Sequence, residues 1–182
     1  MFHKNSILLK DSKIVLHIGG VYGDKEKAID RFIHNYNLLS PKVKDRLVIE
    51  NDDKSYNIGD VLKIGKTLDI PVVFDNLHNK ILPYDKSKDE LYFINKCKKT
   101  WKKEDGVQKI HYSQQDKEKR PGSHSRTIDL TEFTSFSNKL DDEIDIMLEV
   151  KDKNLSAIKC INSISSIKDI RKLEIEWSKY KY

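Results

Sequence analysis

Short apolar runs alternate with stretches of helical periodicity along most of this chain, and that alternation restricts the fold more than any other feature. Ile14-Val15-Leu16 is the first run, Leu47-Val48-Ile49 the second and Val72-Val73-Phe74, opened by Pro71, the third. A fourth strand is predicted around Gln108 to Tyr112 and a fifth from Ile144 to Val150. Between them the apolar positions recur at helical spacing. Ala28, Ile29, Phe32, Ile33 and Tyr36 mark a helix from Asp24 to Leu39 with Asp24 as N-cap. Val61, Leu62, Ile64 and Leu68 mark a second helix, capped by Asn57. A third should run from Ser87 to Lys103, with Leu91, Ile94, Cys97 and Trp101 on one face and Gly106 as its stop. A short helix carries Leu130, Phe133, Phe136 and Leu140; two more close the chain, one near Asn154 and one through Ile167, Ile170, Leu173 and Trp177. Strands alternating with helices predict βαβ units and a parallel sheet, an α/β fold. Right-handed crossovers put every strand's carboxyl end on one side, where ligand sites of such sheets lie.

The 182 residues suffice for one domain covering 1–182, yet a complete (β/α)₈ barrel needs about 250. No linker or low-complexity segment divides the chain. The amino terminus has no long apolar stretch, so neither a signal peptide nor a membrane span is expected, and the default location is cytoplasmic. Cys97 and Cys160 are far apart and lack zinc-finger or redox spacing, so both should be free thiols. The net charge is +5, and the segment from Lys96 to Arg120, with nine basic against four acidic residues, holds an excess equal to the whole chain's. Local basic charge suits a phosphate backbone, although a solvated helix face reads the same way.

The residues that end the strands carry the chemistry. The first strand ends in His17, the second in Glu50 and the third in Asp75; the fourth carries His111 and the fifth Glu149. Asp, Glu and His are about one residue in five, 35 of 182, so five strand ends all bearing one is improbable by chance. All are ligand types for divalent cations, and several parallel strands can aim them at one point. Carboxylates bridging two ions would give the metal pair used in phosphodiester displacement. Asp75 and His78 form D-x-x-H just past a strand. Lys109 and His111, two apart on one strand, share a face. An inward Lys109 would need an acidic neighbour, a phosphate or conversion to a carbamate, because a buried free ammonium is costly. Plainer readings exist for each: His17 as a core histidine, Glu50 as turn chemistry, Asp75 as a turn cap, His78 and His124 as loop residues, Lys109 as a snorkelling lysine and Glu149 as an exposed edge residue. His3 and His34 read as surface residues.

These residues fall within motifs that resemble the UV damage endonuclease family. His17-Ile18-Gly19-Gly20-Val21-Tyr22-Gly23-Asp24-Lys25 resembles its HxGGxYGxK signature, and Glu50-Asn51-Asp52-Asp53-Lys54 matches ENDDK. Pro71 to Asp75 with His78 matches P-x-V-F-D-x-x-H, and Lys109 to Ser113 matches K-x-H-x-S. Arg120 to Ser125, with His124, fits RxxxHS, and Met147 to Lys151 fits the last-strand motif. The similarity is collinear from about Met1 to Lys153.

The resemblance implies a TIM-type (β/α) barrel holding up to three divalent ions, manganese first and zinc or magnesium as alternatives. It implies that Glu50 bridges two ions and His17 binds the first. Asp75, His111 and Glu149 would join Glu50 around the second, and His78 and His124 would hold the third. Lys109 would lie nearby, plausibly carboxylated, with Glu50, Lys109 and Glu149 in catalytic roles. The implied activity is hydrolysis of the phosphodiester 5′ to UV photoproducts and related lesions in double-stranded DNA. Phosphate contacts are expected from Lys117, Lys119, Arg120 and Arg126 in the basic loop.

Two departures qualify this. Leu77 stands where family members often have His. The family's first strands, with a further metal-binding histidine and damage-probing residues, have no counterpart here. The five strands would be the last five of eight, with an open edge near Ile14 and poor solubility or self-association as its consequence. A truncated product, one half of a split enzyme whose amino-terminal half is a separate partner, and a DNA- or partner-binding remnant all fit. A different metal-dependent barrel enzyme, such as a sugar isomerase, is the rival enzymatic reading.

Overall fold

The computed structural model describes residues 12–140 and 143–164, which form two compact units: 12–112 with 143–147, and 113–140 with 148–164. The first unit is built on a sheet whose strands follow chain order, β1 (Ile14–Leu16), β2 (Leu47–Glu50), β3 (Val72–Asp75), β4 (Lys109–Tyr112) and β5 (Asp145–Leu148). The pairs β1–β2, β2–β3 and β3–β4 are parallel. Parallel neighbours need long crossovers. Here these contain α1 (Lys25–Asn37) with a short α2 (Pro41–Lys44), then α3 (Ile58–Leu68), then α4 (Asn76–Ile81) and α5 (Glu90–Lys98).

Helix starts follow local chemistry. The Asp24 side chain accepts from the Lys27 N–H at 3.1 Å and caps α1, which buries Ala28, Ile29 and Tyr36. Asn57 and Asp60 form a capping box at α3. Asp60 Oδ2 also takes Lys25 Nζ at 2.6 Å, tying α1 to α3. α3 lies close on β2 and β3 because position 65 is glycine: a Cβ there would come within 2.5 Å of Val72 Cγ2. β2 and β3 are buried along their whole lengths, as expected of inner parallel strands covered on both faces. Ile14, by contrast, is 44% exposed at the β1 flank, where the open edge was expected.

α5 is shorter than its periodicity suggests. It begins at the Asp89 N-cap and stops at Lys98. The Thr100 hydroxyl donates to the Cys97 carbonyl and Trp101 Nε1 donates to the Val72 carbonyl, so the indole pins the chain to β3 instead of extending the helix face. Gly106, at φ 82°, ends a 3-10 turn over Lys103–Asp105 rather than the helix itself. The free thiol of Cys97 is fully buried, which pushes its pKa far above the ordinary value; burial also lifts Cys160, to about 11. Neither is a thiolate at neutral pH.

The second unit contains α6 (Leu130–Ser137), capped by Asp129, packed on α7 (Asn154–Ile164). The buried Ser156 hydroxyl accepts from the Ile128 N–H at 3.0 Å. The predicted fifth strand ends early, at Leu148, leaving Glu149 and Val150 beyond it. There the backbone turns to the loop, with Asp152 N–H donating to the Arg126 carbonyl at 3.0 Å. The predicted helix through Ile167 and Trp177, and His3, lie outside the described residues. Among the described residues no helix is long and apolar enough to cross a membrane.

Candidate metal centre

Register decides which side chains meet. Leu16 pairs with Ile49, so His17 and Glu50 follow at adjacent strand ends. Asp75 pairs directly with His111. His78 comes from the first turn of α4, which starts at the strand end because Asp75 Oδ1 accepts the His78 N–H at 2.7 Å. Asp75 is thus both the predicted turn cap and a member of the cluster.

Glu50 lies at the middle of the group and is 3% exposed. Its carboxylate is faced by His111 Nδ1 at 3.1 Å, His78 Nδ1 at 3.5 Å and His17 Nε2 at 3.9 Å. The His17 and His78 rings lie 5.7 Å apart. Burial alone would raise the Glu50 pKa, but hydrogen bonding from His111 and His78, with the nearby imidazole charges, holds it down to about 2. Burial likewise works against the charged form of His78; Glu50 and Asp75 outweigh it and raise His78 to about 9. The plainer readings of Glu50 and of His78 therefore do not describe them. Turn chemistry belongs two residues later, to Asp52, whose Oδ1 accepts from the N–H groups of Lys54, Ser55 and Tyr56.

The donor set fits a divalent cation. Glu50, Asp75 and His78 each offer one ligand atom, and these atoms lie within 4.8 Å of one another. Mixed carboxylate and imidazole donors of this kind suit manganese or zinc better than magnesium, which favours oxygen ligands. The two shifted pKa values give signed expectations. His78, raised above its ordinary 6.5, stabilises the fold fully below pH 6.5 and loses that contribution as pH rises through about 9. Glu50, lowered from 4.5, contributes above pH 4.5 and loses its share as pH falls toward about 2. In chelator, thermal melts across pH should show a plateau between these limits and a decline toward pH 9. A cation held by His78 would compete with its proton, so Mn²⁺ affinity should rise by up to about tenfold per pH unit from pH 7 to 9. Titrations in buffers of different ionisation enthalpy would report the released proton; an affinity flat with pH would remove His78 from the cation's ligands.

The remaining predicted residues divide. Lys109 is partly buried and forms an ion pair with Asp145 on β5. In the second unit His124 Nε2 lies 3.5 Å from Glu149 Oε2, both partly exposed. Lys117, Lys119, Arg120 and Arg126 are all exposed on the loop. That loop is braced by Gln115, whose Nε2 donates to the carbonyls of Asp116 and Arg120 and whose Oε1 accepts from the Gly122 N–H. Asp116 faces Lys151 at 3.3 Å and Lys119 at 3.7 Å. Residue types alone gave no sign of Asp145 or Gln115. Asn51, which enters the sequence reading only within the ENDDK match, is fully buried, and its amide bonds to the backbone of Asp75.

The UV-endonuclease UvdE family model matches residues 4–178. The chain is similar to a UV DNA damage endonuclease of Clostridium perfringens, 50% identical over 158 residues, covering 86% of this chain and 38% of that protein. It is also similar to a UV DNA damage endonuclease of Bacillus cereus (strain Q1), 33% identical over 180 residues, covering 95% of this chain and 56% of that one. The crystal structure of SacUVDE superposes with a TM-score of 0.76 at 39% identity, over 89% of this chain and 52% of that one. The chain thus spans about half the length of these relatives, and less than half of the clostridial one.

Proposed function

Since the chain belongs to the UV-endonuclease UvdE family, we propose that it works as a metal-dependent DNA repair endonuclease, hydrolysing the phosphodiester 5′ to UV photoproducts and related lesions in double-stranded DNA. The observation that carries this reading is the buried Glu50 carboxylate, faced by three imidazoles at the ends of adjacent strands. Bound divalent ions supply water activation and charge stabilisation for in-line displacement at phosphorus. The protein's part is to hold His17, Glu50, Asp75, His78 and His111 in one cluster and to fix their orientation through backbone contacts. His124 is assigned to the ligand set on the motif resemblance, and Glu149 on its strand-end position together with that resemblance. Carboxylation of Lys109 requires a neutral amine, so the pair with Asp145 would have to open first. Lys117, Lys119, Arg120 and Arg126 are the phosphate contacts of this reading, which puts the chain with DNA in the cytoplasm.

We read the five strands as the last five of eight in a TIM-type (β/α) barrel. Strand order supports this, because a doubly wound sheet reverses its order at a switch point whereas a barrel does not. The exposed β1 edge at Ile14 is where the remaining βα units of such a barrel would pair.

The test is nicking of supercoiled plasmid with Mn²⁺, by the 182-residue chain alone and with the amino-terminal half of a family relative added. Nicks should accumulate on irradiated and not on undamaged plasmid, and chelator should stop them. Sugar isomerisation without nicking would move the assignment to another metal-dependent barrel enzyme. Metal-independent retention of DNA without nicking would make the chain a binding remnant.

A further inference from the structure

The backbone ladder between β2 and β3 reaches only Glu50 opposite Val73. One residue later the Asn51 side chain takes over. Its Oδ1 accepts from the Asp75 N–H at 2.9 Å, and its Nδ2 donates to the Asp75 carbonyl at 3.1 Å. A side-chain amide thus makes the two bonds that a neighbouring peptide would make, where the two backbones no longer pair. The Asn51 carbonyl is also used: it lies 2.9 Å from His78 Nδ1. Asn51 is fully buried, with Glu50 on one side in sequence and Asp75 and His78 in direct contact.

We propose that Asn51 is the positioning residue of the metal centre: its amide locks the ends of β2 and β3 together, and its carbonyl, accepting from Nδ1, fixes the His78 ring against Glu50 and Asp75. This rests on the metal-centre reading above and assigns a task to a residue that binds no cation itself. Outer-shell partners that orient a ligating imidazole change metal affinity about 10- to 100-fold when removed. Glutamine is one methylene too long for the two-bond ring. Serine keeps a polar atom but reaches at most one of the two groups. Aspartate keeps the acceptor for the Asp75 N–H and loses the donor to the Asp75 carbonyl.

Aspartate also gives the decisive sign. An added carboxylate beside Glu50 and Asp75 would by charge alone tighten binding of a dication. Positioning by the amide requires the opposite, weaker binding in Asn51→Asp as well as in Asn51→Ser. The experiment is titration of Mn²⁺ followed by electron paramagnetic resonance, on the wild-type chain and both variants, with thermal melts in chelator. Long-range ¹H–¹⁵N spectra of the Zn²⁺-loaded proteins report the His78 tautomer.

Both variants should melt cooperatively in chelator, bind Mn²⁺ about 10- to 100-fold more weakly than wild type, and lose the single Nδ1–H tautomer of His78. Wild-type or tighter affinity in Asn51→Asp overturns the proposal. So does loss of cooperative melting in both variants, which would make Asn51 a residue of the fold alone. A wild-type chain that binds no Mn²⁺ would instead sink the metal-centre reading itself, and this proposal with it.

Discussion

Replacing Glu50 by Gln should lower Mn²⁺ affinity by more than about a hundredfold, the upper range for losing a mere outer-shell partner, and should abolish nicking of irradiated DNA. Gln keeps the size and removes the charge. In wild type three imidazoles approach this one buried carboxylate, at 3.1, 3.5 and 3.9 Å. Without it those rings face an amide, a poorer donor to cations. The charge stabilisation that metal ions give phosphoryl chemistry is worth several kcal/mol, so nicking should fall by roughly three orders of magnitude or more. A second signature is independent of activity. Glu50 is the foremost group holding the His78 proton to about pH 9, so in the variant His78 should titrate lower, visible in its ring resonances. A Glu50→Gln protein with wild-type Mn²⁺ uptake and nicking would take Glu50 out of the centre.

Asp75 carries two duties, and two substitutions separate them. Asp75→Ala removes a helix cap whose Oδ1 accepts the His78 N–H at 2.7 Å, a loss of about 0.5–2 kcal/mol in fold stability. It also removes a buried carboxylate from the cluster of Glu50, Asp75 and His78. Asp75→Asn keeps an equivalent cap and discards only the charge. Metal uptake, measured by elemental analysis after desalting, should be lost in both, whereas stability in chelator should fall clearly only in Asp75→Ala. Full metal content in both would refute the ligand assignment; equal destabilisation would mean that Asn does not reproduce the cap.

Sequence patterning reached the strands and the ligand types because each obeys a local rule. Glu50, Asp75 and His111 end or occupy apolar runs of sheet length, and α1 and α3 start at Asp24 and Asn57, residues with side-chain oxygens suited to capping. What escaped depends on contacts between distant segments. α5 stops at Lys98 because the Trp101 indole finds the Val72 carbonyl, 29 residues away. Asp145 holds Lys109 from 36 residues away. Asn51 looks like any turn asparagine until β3 is beside it, since both of its amide bonds go to Asp75. In the sequence Asp75 reads only as a turn cap, and the six-residue α4 that it caps and that carries His78 has no periodic pattern to announce it.

The residues around Glu50 come from three strands and a helix that lie in strict succession along the chain, from His17 to His111. An unfolded chain, or one with only its first two strands assembled, offers a cation no comparable cage. A divalent cation bound by these residues would therefore be captured only after β1 to β4 are all in register, and its binding energy would add to the stability of the finished sheet rather than to any intermediate.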